Sequence, residues 1–183
     1  MEEILRRLEE EFGSHRVDGY KDAPAVYVST YGKYNAGTLF GQWVDIASFD
    51  CYDDFIDYCN ALHGDEEDPE LMFQDFENFP RRWYNESSLS EEVFDRIKNY
   101  AEKDDREAVD AYLSEFDDDD LDQFDNRYEG KWDSEEDFAW NIFDECYNHQ
   151  IPEFWRTYFN IAAFTRDLFY DYTFVDGYVF NHC

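Results

Sequence analysis

The sequence predicts an α+β fold, arranged as an elongated chain of three small lobes. Strand-like and helical segments alternate after residue 25, two amphipathic helices follow in the centre, and an Asp-Gly hairpin signal stands near residue 176. The predicted lobes are a β-sheet plus helix, a helical middle lobe, and helices plus a β-hairpin. With an N-terminal helix and linker before them, the predicted boundaries are 1–24, 25–80, 81–118 and 119–183.

The first elements follow from hydrophobic periodicity and from glycine and proline signals. Apolar residues at helical spacing predict a helix at the start, and period-two or β-branched runs predict strands after it. The predicted elements are a helix at 1–12, a linker at 13–24, a strand at 25–30, a glycine-containing loop at 32–37, a strand at 39–46, a helix at 51–62 capped by Asp50, and a strand at 71–78.

The middle and C-terminal elements are predicted from caps, apolar stripes and a turn dipeptide. Serine or aspartate before an apolar stripe marks a helix start, and Asp-Gly between two aromatic-rich runs marks a hairpin. The predicted elements are a helix at 90–103 capped by Ser88 or Ser90, a helix at 106–116, a strand at 126–132, a helix at 133–148 capped by Asp133 or Ser134, a helical stretch from Pro152 to Tyr170, and a hairpin at 172–182.

The charge balance is the strongest functional indication. The chain has 46 Asp and Glu against 15 Lys and Arg, a formal net charge of −31 on 183 residues, yet 21% of its residues are aromatic. Abundant aromatic rings allow a chain this acidic to bury a core and fold. Such a protein is repelled by nucleic acid and by anionic membranes, and is attracted to basic protein surfaces.

The charge is graded along the chain. Residues 101–150 carry 19 acidic against 4 basic side chains, whereas residues 151–183 carry 4 against 2. Solubility alone needs a net charge of only about 2–8 for a small domain. The negative charge beyond this requirement therefore indicates that the electrostatic field of the protein has a function.

Catalytic and metal-dependent functions have weaker support. No nucleophile motif, phosphate loop or metalloprotease signature is present, so we expect neither an enzyme nor a cofactor. An EF-hand calcium loop is an alternative, although its sixth place holds Gln123 where the sharp turn needs Gly. That loop would use Asp118, Asp120, Asp122, Asn126 and Glu129. A zinc site would need Cys146, His149, His182 and Cys183 to converge.

Targeting and redox signals are absent from the sequence. No apolar run approaches the ~18 residues of a membrane span, the first twelve residues are charged rather than a secretory signal, and the four cysteines show no paired spacing. Reduced thiols and a cytoplasmic location are the simplest expectation.

The charge matches a length of duplex DNA. At one charge per ~1.7 Å of axis, thirty-one charges correspond to roughly 53 Å of duplex, and a homodimer to roughly 105 Å. A compact globule of this length has a radius of gyration of only about 16 Å. An elongated body of three lobes could present its carboxylates along such a length.

Three segments resemble the ArdA-type antirestriction proteins. Residues 26–46 carry a strand, a Tyr-Asn-x-Gly loop and a Gly-x-Trp strand, here Tyr34, Asn35, Gly37, Gly41 and Trp43. Residues 128–145 resemble the acidic segment of the family's third domain. Residues 159–182 resemble its C-terminal end, with the Ala-x-x-Arg-Asp-Leu pattern at Ala163, Arg166, Asp167 and Leu168. The first 24 residues depart from the family.

The resemblance implies a curved, elongated homodimer that mimics bent DNA. It implies inhibition of type I restriction–modification enzymes through the DNA-binding groove of their methyltransferase and specificity core, on behalf of mobile genetic elements. By position, the family's acidic motif maps to Asp133, Glu135, Glu136, Asp137, Asp144 and Glu145. Its dimer interface, in the third domain, suggests Phe138, Trp140, Ile142 and Phe143, which could equally be core.

From the charge run we add Asp117, Asp118, Asp119, Asp120 and Asp122 to the expected acidic surface. A second hypothesis is a generic acidic chaperone for basic nucleic-acid-binding proteins, with no dependence on how its lobes are arranged.

Overall fold

The computed structural model describes residues 2–17, 22–38, 40–116, 121–147 and 152–182. These residues form eight α-helices and two three-stranded antiparallel sheets, so the predicted α+β class is confirmed. The helices are α1 (Glu2–Phe12), α2 (Tyr31–Asn35), α3 (Tyr52–Leu62), α4 (Glu91–Glu102), α5 (Arg106–Glu115), α6 (Phe124–Arg127), α7 (Glu135–Cys146) and α8 (Ile161–Leu168). The strands are β1 (Ala25–Thr30), β2 (Gln42–Asp45), β3 (Leu71–Glu77), β4 (Tyr128–Lys131), β5 (Tyr172–Val175) and β6 (Tyr178–Asn181).

The chain divides into two compact units, residues 1–104 and 105–183. The first holds α1 to α4 and the sheet β2-β1-β3, and the second holds α5 to α8 and the sheet β4-β6-β5. The division into three lobes with a helical middle lobe stays a prediction.

The first sheet is built around its central strand, β1. This strand pairs antiparallel with both neighbours, Val26 opposite Val44 on β2 and opposite Phe76 on β3. The Ala-Val-Tyr-Val-Ser-Thr sequence suits a strand shielded on both sides, because β-branched residues pack well on a pleated surface. Val28 is fully buried, and α3 contributes Phe55, whose ring stacks with Phe73 of β3 at 6.2 Å.

A short segment before β1 pairs with the edge of the first sheet. Arg16 forms a β-bridge with Val44, the Val17 amide donates to the Trp43 carbonyl at 3.2 Å, and the Asp45 amide donates to the His15 carbonyl at 3.0 Å. The His15 ring stacks on Phe49 with ring centres 3.9 Å apart. Residues 15–17 therefore cover the outer edge of β2, part of the region predicted only as a linker.

Gly41 explains the Gly-x-Trp pattern that precedes β2. A Cβ atom at this position would lie 2.5 Å from the Tyr27 ring and 2.6 Å from the Val28 carbonyl oxygen. Two residues later, Trp43 packs edge-on against the same Tyr27 ring at 5.6 Å. The pattern therefore lets the chain pass close to β1 and then place an indole beside Tyr27.

The second sheet contains the predicted hairpin, which is confirmed. β5 and β6 pair with Val175 opposite Tyr178, and the two turn residues between them, Asp176 and Gly177, have φ of 50° and 87°. Two successive positive φ values are what a type I′ turn requires, and Asp-Gly adopts them readily. The β6 ring of Phe180 is fully buried, between the second sheet and α5.

Asp105 ties α5 to the second sheet. Its carboxylate accepts from the Ala108 amide as the cap of α5, and it also accepts from the Tyr128 hydroxyl at 3.2 Å. Burial, followed by the negative charge of Asp105, raises the pKa of Tyr128 to about 12. The phenol is therefore a permanent donor to this carboxylate at neutral pH.

Three local predictions were wrong. Residues 32–35 of the loop predicted at 32–37 belong to α2, because the Thr30 hydroxyl accepts from the Lys33 amide and caps a helical turn. Asp50 does not cap α3, whose N-cap is Cys51 with no side-chain hydrogen bond. The stretch after Pro152 is two elements, a 3-10 helix at Glu153–Tyr158 and then α8, which Asn160 caps.

The helices α1, α4, α5 and α7 lie close to their predicted places, whereas α6 was not predicted and includes residues 126 and 127 of the strand predicted at 126–132, of which 128–131 form β4. Ser90 caps α4 by accepting from the Val93 amide, and Ser134 caps α7 by accepting from the Asp137 amide. Within the residues that the structure describes, no helix is both long enough and apolar enough to cross a membrane.

Candidate partner-binding surface

The candidate surface is built on α7, whose sequence separates a buried face from an acidic start. Phe138, Ala139 and Phe143 recur at helical spacing and are buried in the second unit. Ser134 begins the helix, its hydroxyl accepting from the Asp137 amide at 3.1 Å and donating to the Asp137 carboxylate at 2.7 Å. Acidic side chains are favourable in this first turn because of the helix dipole.

Four carboxylates predicted for the acidic surface are exposed together at this end of α7. Asp133 precedes the cap, and Glu135, Glu136 and Asp137 fill the first turn. Within the described part of the chain, Asp133, Glu135 and Glu136 have no ion-pair partner. This short segment therefore presents negative charge that the protein does not neutralise itself.

Asp144, near the other end of α7, is in a different state. The Arg156 guanidinium makes a bidentate pair with its carboxylate and lies over the Trp140 ring at 4.6 Å. Hydrogen bonding from Arg156 holds the pKa of Asp144 below its usual range. Asp144 is thus ionised but locally neutralised, whereas its neighbour Glu145 is exposed.

The other acidic positions lie before α6. Asp122 is exposed in the turn that leads into this helix. Asp117, Asp118, Asp119 and Asp120 lie outside the described residues. Their part in the acidic surface stays a prediction.

The four candidate interface residues fall into two pairs. Phe138 and Phe143 are 1% and 2% exposed, and their rings pack against Tyr172 at 5.0 Å and Phe159 at 4.3 Å. These two therefore belong to the core of the second unit. Trp140 and Ile142 are half-buried. Large exposed rings nearby in sequence are Tyr147, Phe154, Tyr158 and Tyr170.

The first unit contains a charge cluster that sequence reasoning missed. The Lys33 ammonium donates to Asp65 at 2.8 Å and to Glu66 at 2.6 Å, while the Thr30 hydroxyl donates to the same Glu66 oxygen at 2.7 Å. Burial lowers the pKa of Lys33, but the two carboxylates outweigh it and the net shift is upward. In turn, hydrogen bonding from Lys33 lowers the pKa of both carboxyls.

His63 lies beside this cluster with no exposed surface. Neither ring nitrogen makes a hydrogen bond of ordinary geometry in the described structure, although the Val28 backbone interacts with the ring and favours its protonated form. Burial, followed by the nearby Lys33 charge, lowers the pKa of His63 to about 4, with the Val28 backbone and the two carboxylates opposing. The imidazole is therefore neutral at physiological pH.

His63, Asp65 and Glu66 are the group among the described residues whose ligand atoms lie close enough for a metal, within 4.8 Å of one another. Lys33 already supplies a cation to both carboxylates. The ammonium group of Lys33 therefore already offsets part of the negative charge of these two carboxylates.

Two described residues of the calcium and zinc alternatives, Glu129 and His182, make other contacts. Glu129 lies on β4 and accepts from the Asn181 side chain at 2.8 Å, so no exit helix begins there as an EF-hand requires. His182 hydrogen-bonds Thr173 at 2.7 Å, and Cys146 is exposed. Asp118, Asp120, His149 and Cys183 lie outside the described residues.

The fold and the surface together define a class of protein: an acidic α+β protein whose candidate site is a set of exposed carboxylates on a helix. A family model described as antirestriction protein (ArdA) matches residues 26–180 of the 183. The chain belongs to this family of antirestriction proteins, as its motifs indicated. No curated protein matches the chain. The matched region includes both sheets except their terminal residues Ala25 and Asn181, together with the whole of α7, and it begins after α1 and the edge-covering residues 15–17.

Proposed function

We propose that this antirestriction protein acts as a DNA mimic. It occupies the DNA-binding groove of a type I restriction–modification enzyme, at the methyltransferase and specificity core, and inhibits the enzyme. The observation that carries the proposal is the open carboxylate row of Asp133, Glu135, Glu136 and Asp137 at the start of α7. This row lies within the stretch of 101–150, the most acidic part of the chain.

The physical basis is competition for the same basic side chains. An enzyme of this kind gains much of its DNA affinity from Lys and Arg contacts to phosphates, with release of counterions. Carboxylates held on a rigid helix offer those side chains an alternative set of anions. A total of −31 is equivalent to roughly 53 Å of duplex.

The homodimer is part of the same proposal. Two copies would supply the charge of roughly 105 Å of duplex, a length suited to a large DNA-handling enzyme. Half-buried Trp140 and Ile142 are the proposed interface residues that are not already in the core. We place the action in the cytoplasm, in the service of mobile genetic elements entering a new host.

The test is a binding titration against a purified type I methyltransferase core. We expect binding that duplex DNA competes away and that weakens as salt rises. Changing Asp133, Glu135, Glu136 and Asp137 together to their amides should weaken inhibition measurably, because it removes the unneutralised row at once. Single changes such as Asp122→Asn should do little.

The matched control removes the same charge outside the family region. Glu3, Glu9, Glu10 and Glu11 of α1 are exposed, and their four glutamine substitutions change the net charge equally. Equal loss in both quadruple variants would show that total charge matters and not the α7 row. Tight binding that ignores salt would contradict DNA mimicry altogether.

The second candidate is a generic acidic chaperone for basic proteins, favoured only by the overall charge. It predicts similar affinity for a histone-like protein and for the methyltransferase core. A preference for the methyltransferase core of about tenfold or more would exclude it.

A further inference from the structure

His15 lies in the N-terminal segment, residues 2–17, and both nitrogens of its half-buried ring make contacts. The Nε2 atom lies 2.8 Å from the Phe12 carbonyl oxygen, at the end of α1. The Nδ1 atom lies 2.7 Å from the Ser48 hydroxyl, in the 3-10 turn that follows β2. The ring itself stacks on Phe49, with ring centres 3.9 Å apart and planes at 18°. One imidazole thus joins α1 to the chain that follows β2.

The hydrogen-bond partners fix the number of protons on this ring. A carbonyl oxygen only accepts, so the contact with Phe12 requires a proton on Nε2. The single proton of the Ser48 hydroxyl is donated to the Asp45 carbonyl at 2.7 Å, so this hydroxyl accepts from His15 and Nδ1 needs a proton too. A ring with both nitrogens protonated is the positively charged imidazolium. The hydrogen-bond network therefore assigns the charged form to His15.

Two neighbours of the ring stabilise a positive charge. Phe12 is the last residue of α1, so its carbonyl oxygen belongs to the negative end of the helix dipole. The Phe49 ring presents its face to the imidazole, and an aromatic face attracts a cation. Both interactions weaken when the imidazole loses its charge.

The carboxylates around the ring act in the same direction. Glu11 of α1, with Asp50 and Asp54 at the start of α3, lines an open cavity of about 310 Å³ that the imidazole also lines. The opposing charge is Arg16, the next residue in the chain, whose side chain is exposed. Tyr58 of α3 meets the ring edge-on at 5.4 Å, and burial raises the pKa of its hydroxyl, so it adds no charge at neutral pH. The three carboxylates outnumber this guanidinium, so the balance of nearby charge favours the imidazolium.

Protonation of His15 is coupled to the attachment of the N-terminal segment. The His15 carbonyl accepts from the Asp45 amide at 3.0 Å, and the Val17 amide donates to the Trp43 carbonyl at 3.2 Å. Ser48 joins the Asp45 carbonyl to the His15 ring, so backbone and side chain hold the same residue of β2. A neutral ring has one proton fewer for this network, so one of its hydrogen bonds is lost. The charged ring therefore holds the segment more firmly than the neutral ring.

We propose that His15 is a proton-dependent latch, which holds the N-terminal segment on the first sheet when its ring is charged and loosens it when the ring is neutral. Proton binding and attachment of the segment strengthen each other by the same factor, as linkage requires. Attachment therefore tightens as the pH falls from about 8 to about 6, a range in which a histidine changes its charge and ordinary carboxylates stay ionised. Release uncovers the outer edge of β2. The latch is independent of the proposed function.

NMR of the isotope-labelled full chain tests the charge on the ring. The chemical shifts of the two ring nitrogens distinguish the imidazolium from either neutral tautomer. We expect the imidazolium of His15 at about pH 6 and the tautomer protonated on Nε2 at about pH 8, since that tautomer keeps the bond to Phe12. A ring that is neutral at pH 6 would overturn the latch.

Solvent exchange of backbone amides tests the attachment. The Val17 and Asp45 amides report the two hydrogen bonds between the segment and β2, and the Tyr31 amide, which donates to the Glu70 carbonyl at 3.0 Å, is a reference in the same unit. Protection factors corrected for intrinsic exchange should fall about tenfold for Val17 and Asp45 between about pH 6 and pH 8, and stay constant for Tyr31. An equal fall at Tyr31 would show a general loosening of the unit and contradict the latch.

Two histidine variants make the matched comparison. His15→Gln should show the weaker protection at both pH values, because glutamine stays neutral. His182→Gln is the control, since His182 follows β6 in the second unit and bonds Thr173 there, and it should keep the pH dependence. Survival of the pH dependence in His15→Gln, or its loss in both variants, would exclude His15 as the group that titrates.

Ser48→Ala tests the contact on Nδ1 with less disturbance. It removes the acceptor for this nitrogen and leaves the bond from Nε2 to Phe12 in place, and the serine is exposed, so the variant should fold. We expect the difference in protection between pH 6 and pH 8 to shrink to about threefold or less. A full tenfold difference in this variant would show that Ser48 has no part in the latch and would refute it as proposed.

Discussion

Two groups of carboxylates in this protein differ in whether the protein neutralises their charge. Asp65 and Glu66 in the first unit share the buried ammonium of Lys33, whereas Glu135 and Glu136 in the second unit have no ion-pair partner in the described structure. Both pairs are consecutive acidic residues and look alike in the sequence. The difference shows that an acidic residue contributes to an external field only if the protein does not neutralise it internally.

The distinction refines what −31 means for function. The pair at 65–66 stabilises the first unit by fixing α2 against the chain that follows α3. The row at the start of α7 gains only a modest benefit from the helix dipole. Its exposed charge is therefore available to a partner, which is what the proposed function needs.

The largest expected effect is a loss of stability in acid, caused by His63 beside the first group of carboxylates. His63 has a pKa of about 4 in the folded chain against 6.5 ordinarily, so between these pH values the unfolded chain binds a proton that the native one does not. The free energy of unfolding should fall by about 3 kcal/mol as pH drops from 6.5 to 4. Urea unfolding at pH 7 and pH 4.5 measures it, with His63→Leu as a variant that lacks this dependence. A parallel loss in both proteins would refute the assignment to His63.

The next largest effect is the loss of stability when the ammonium group of Lys33 is removed. Lys33→Met leaves Asp65 and Glu66 side by side without their shared ammonium and should reduce stability by about 2 kcal/mol. The figure is below that for a fully buried pair, because the Asp65 side chain is 49% exposed. Thermal unfolding of the full chain measures it. The triple variant that also carries Asp65→Asn and Glu66→Gln should recover part of the loss, and no recovery would mean that Lys33 acts through packing alone.

A smaller effect should separate the two groups by function. Glu135→Gln with Glu136→Gln should weaken inhibition a few-fold and change stability by less than about 0.5 kcal/mol. Asp65→Asn with Glu66→Gln removes the same charge, but should lower stability and leave inhibition nearly unchanged. Melting curves and inhibition assays on both double variants make the comparison. Equal effects of the two double variants would contradict the functional distinction between the two groups of carboxylates.

The smallest effect concerns Asp144, the neutralised member of the α7 set. Arg156→Met releases its carboxylate and adds one net negative charge to the second unit. Removing the guanidinium also removes the contact with the Trp140 ring, so the melting temperature should fall slightly. Titration of Asp144 by NMR should show its pKa rising towards the ordinary value. An unchanged pKa would show that Arg156 is not what lowers it.

Local rules predicted much of the fold. Ser90, Ser134 and the Asp-Gly turn each carry their signal within four residues, and all three lie where the sequence placed them. The errors arise where a distant contact decides. Lys33 looked like part of a glycine loop, because nothing near it in sequence indicates the partners at 65 and 66.

The candidate surface was predictable in part for the same reason. First-turn carboxylates after a serine cap are recognisable from the sequence, and the resemblance to the family then assigned them to the acidic surface. The pairing of Asp144 with Arg156 joins residues twelve apart across an irregular connection, and no periodicity indicates it. Burial of Phe138 and Phe143 depends on rings from the C-terminal segments, which helical spacing alone cannot distinguish from an interface.

The edge cover formed by residues 15–17 has a practical consequence for preparing the protein. A version shortened to the family-matched region would begin at residue 26 and leave the hydrogen-bonding groups of Trp43 and Asp45 without their present partners. Uncovered strand edges promote pairing between molecules and aggregation. Material for assays and for crystallisation should therefore retain the N-terminal segment, and a tag is better attached before residue 1 than in its place.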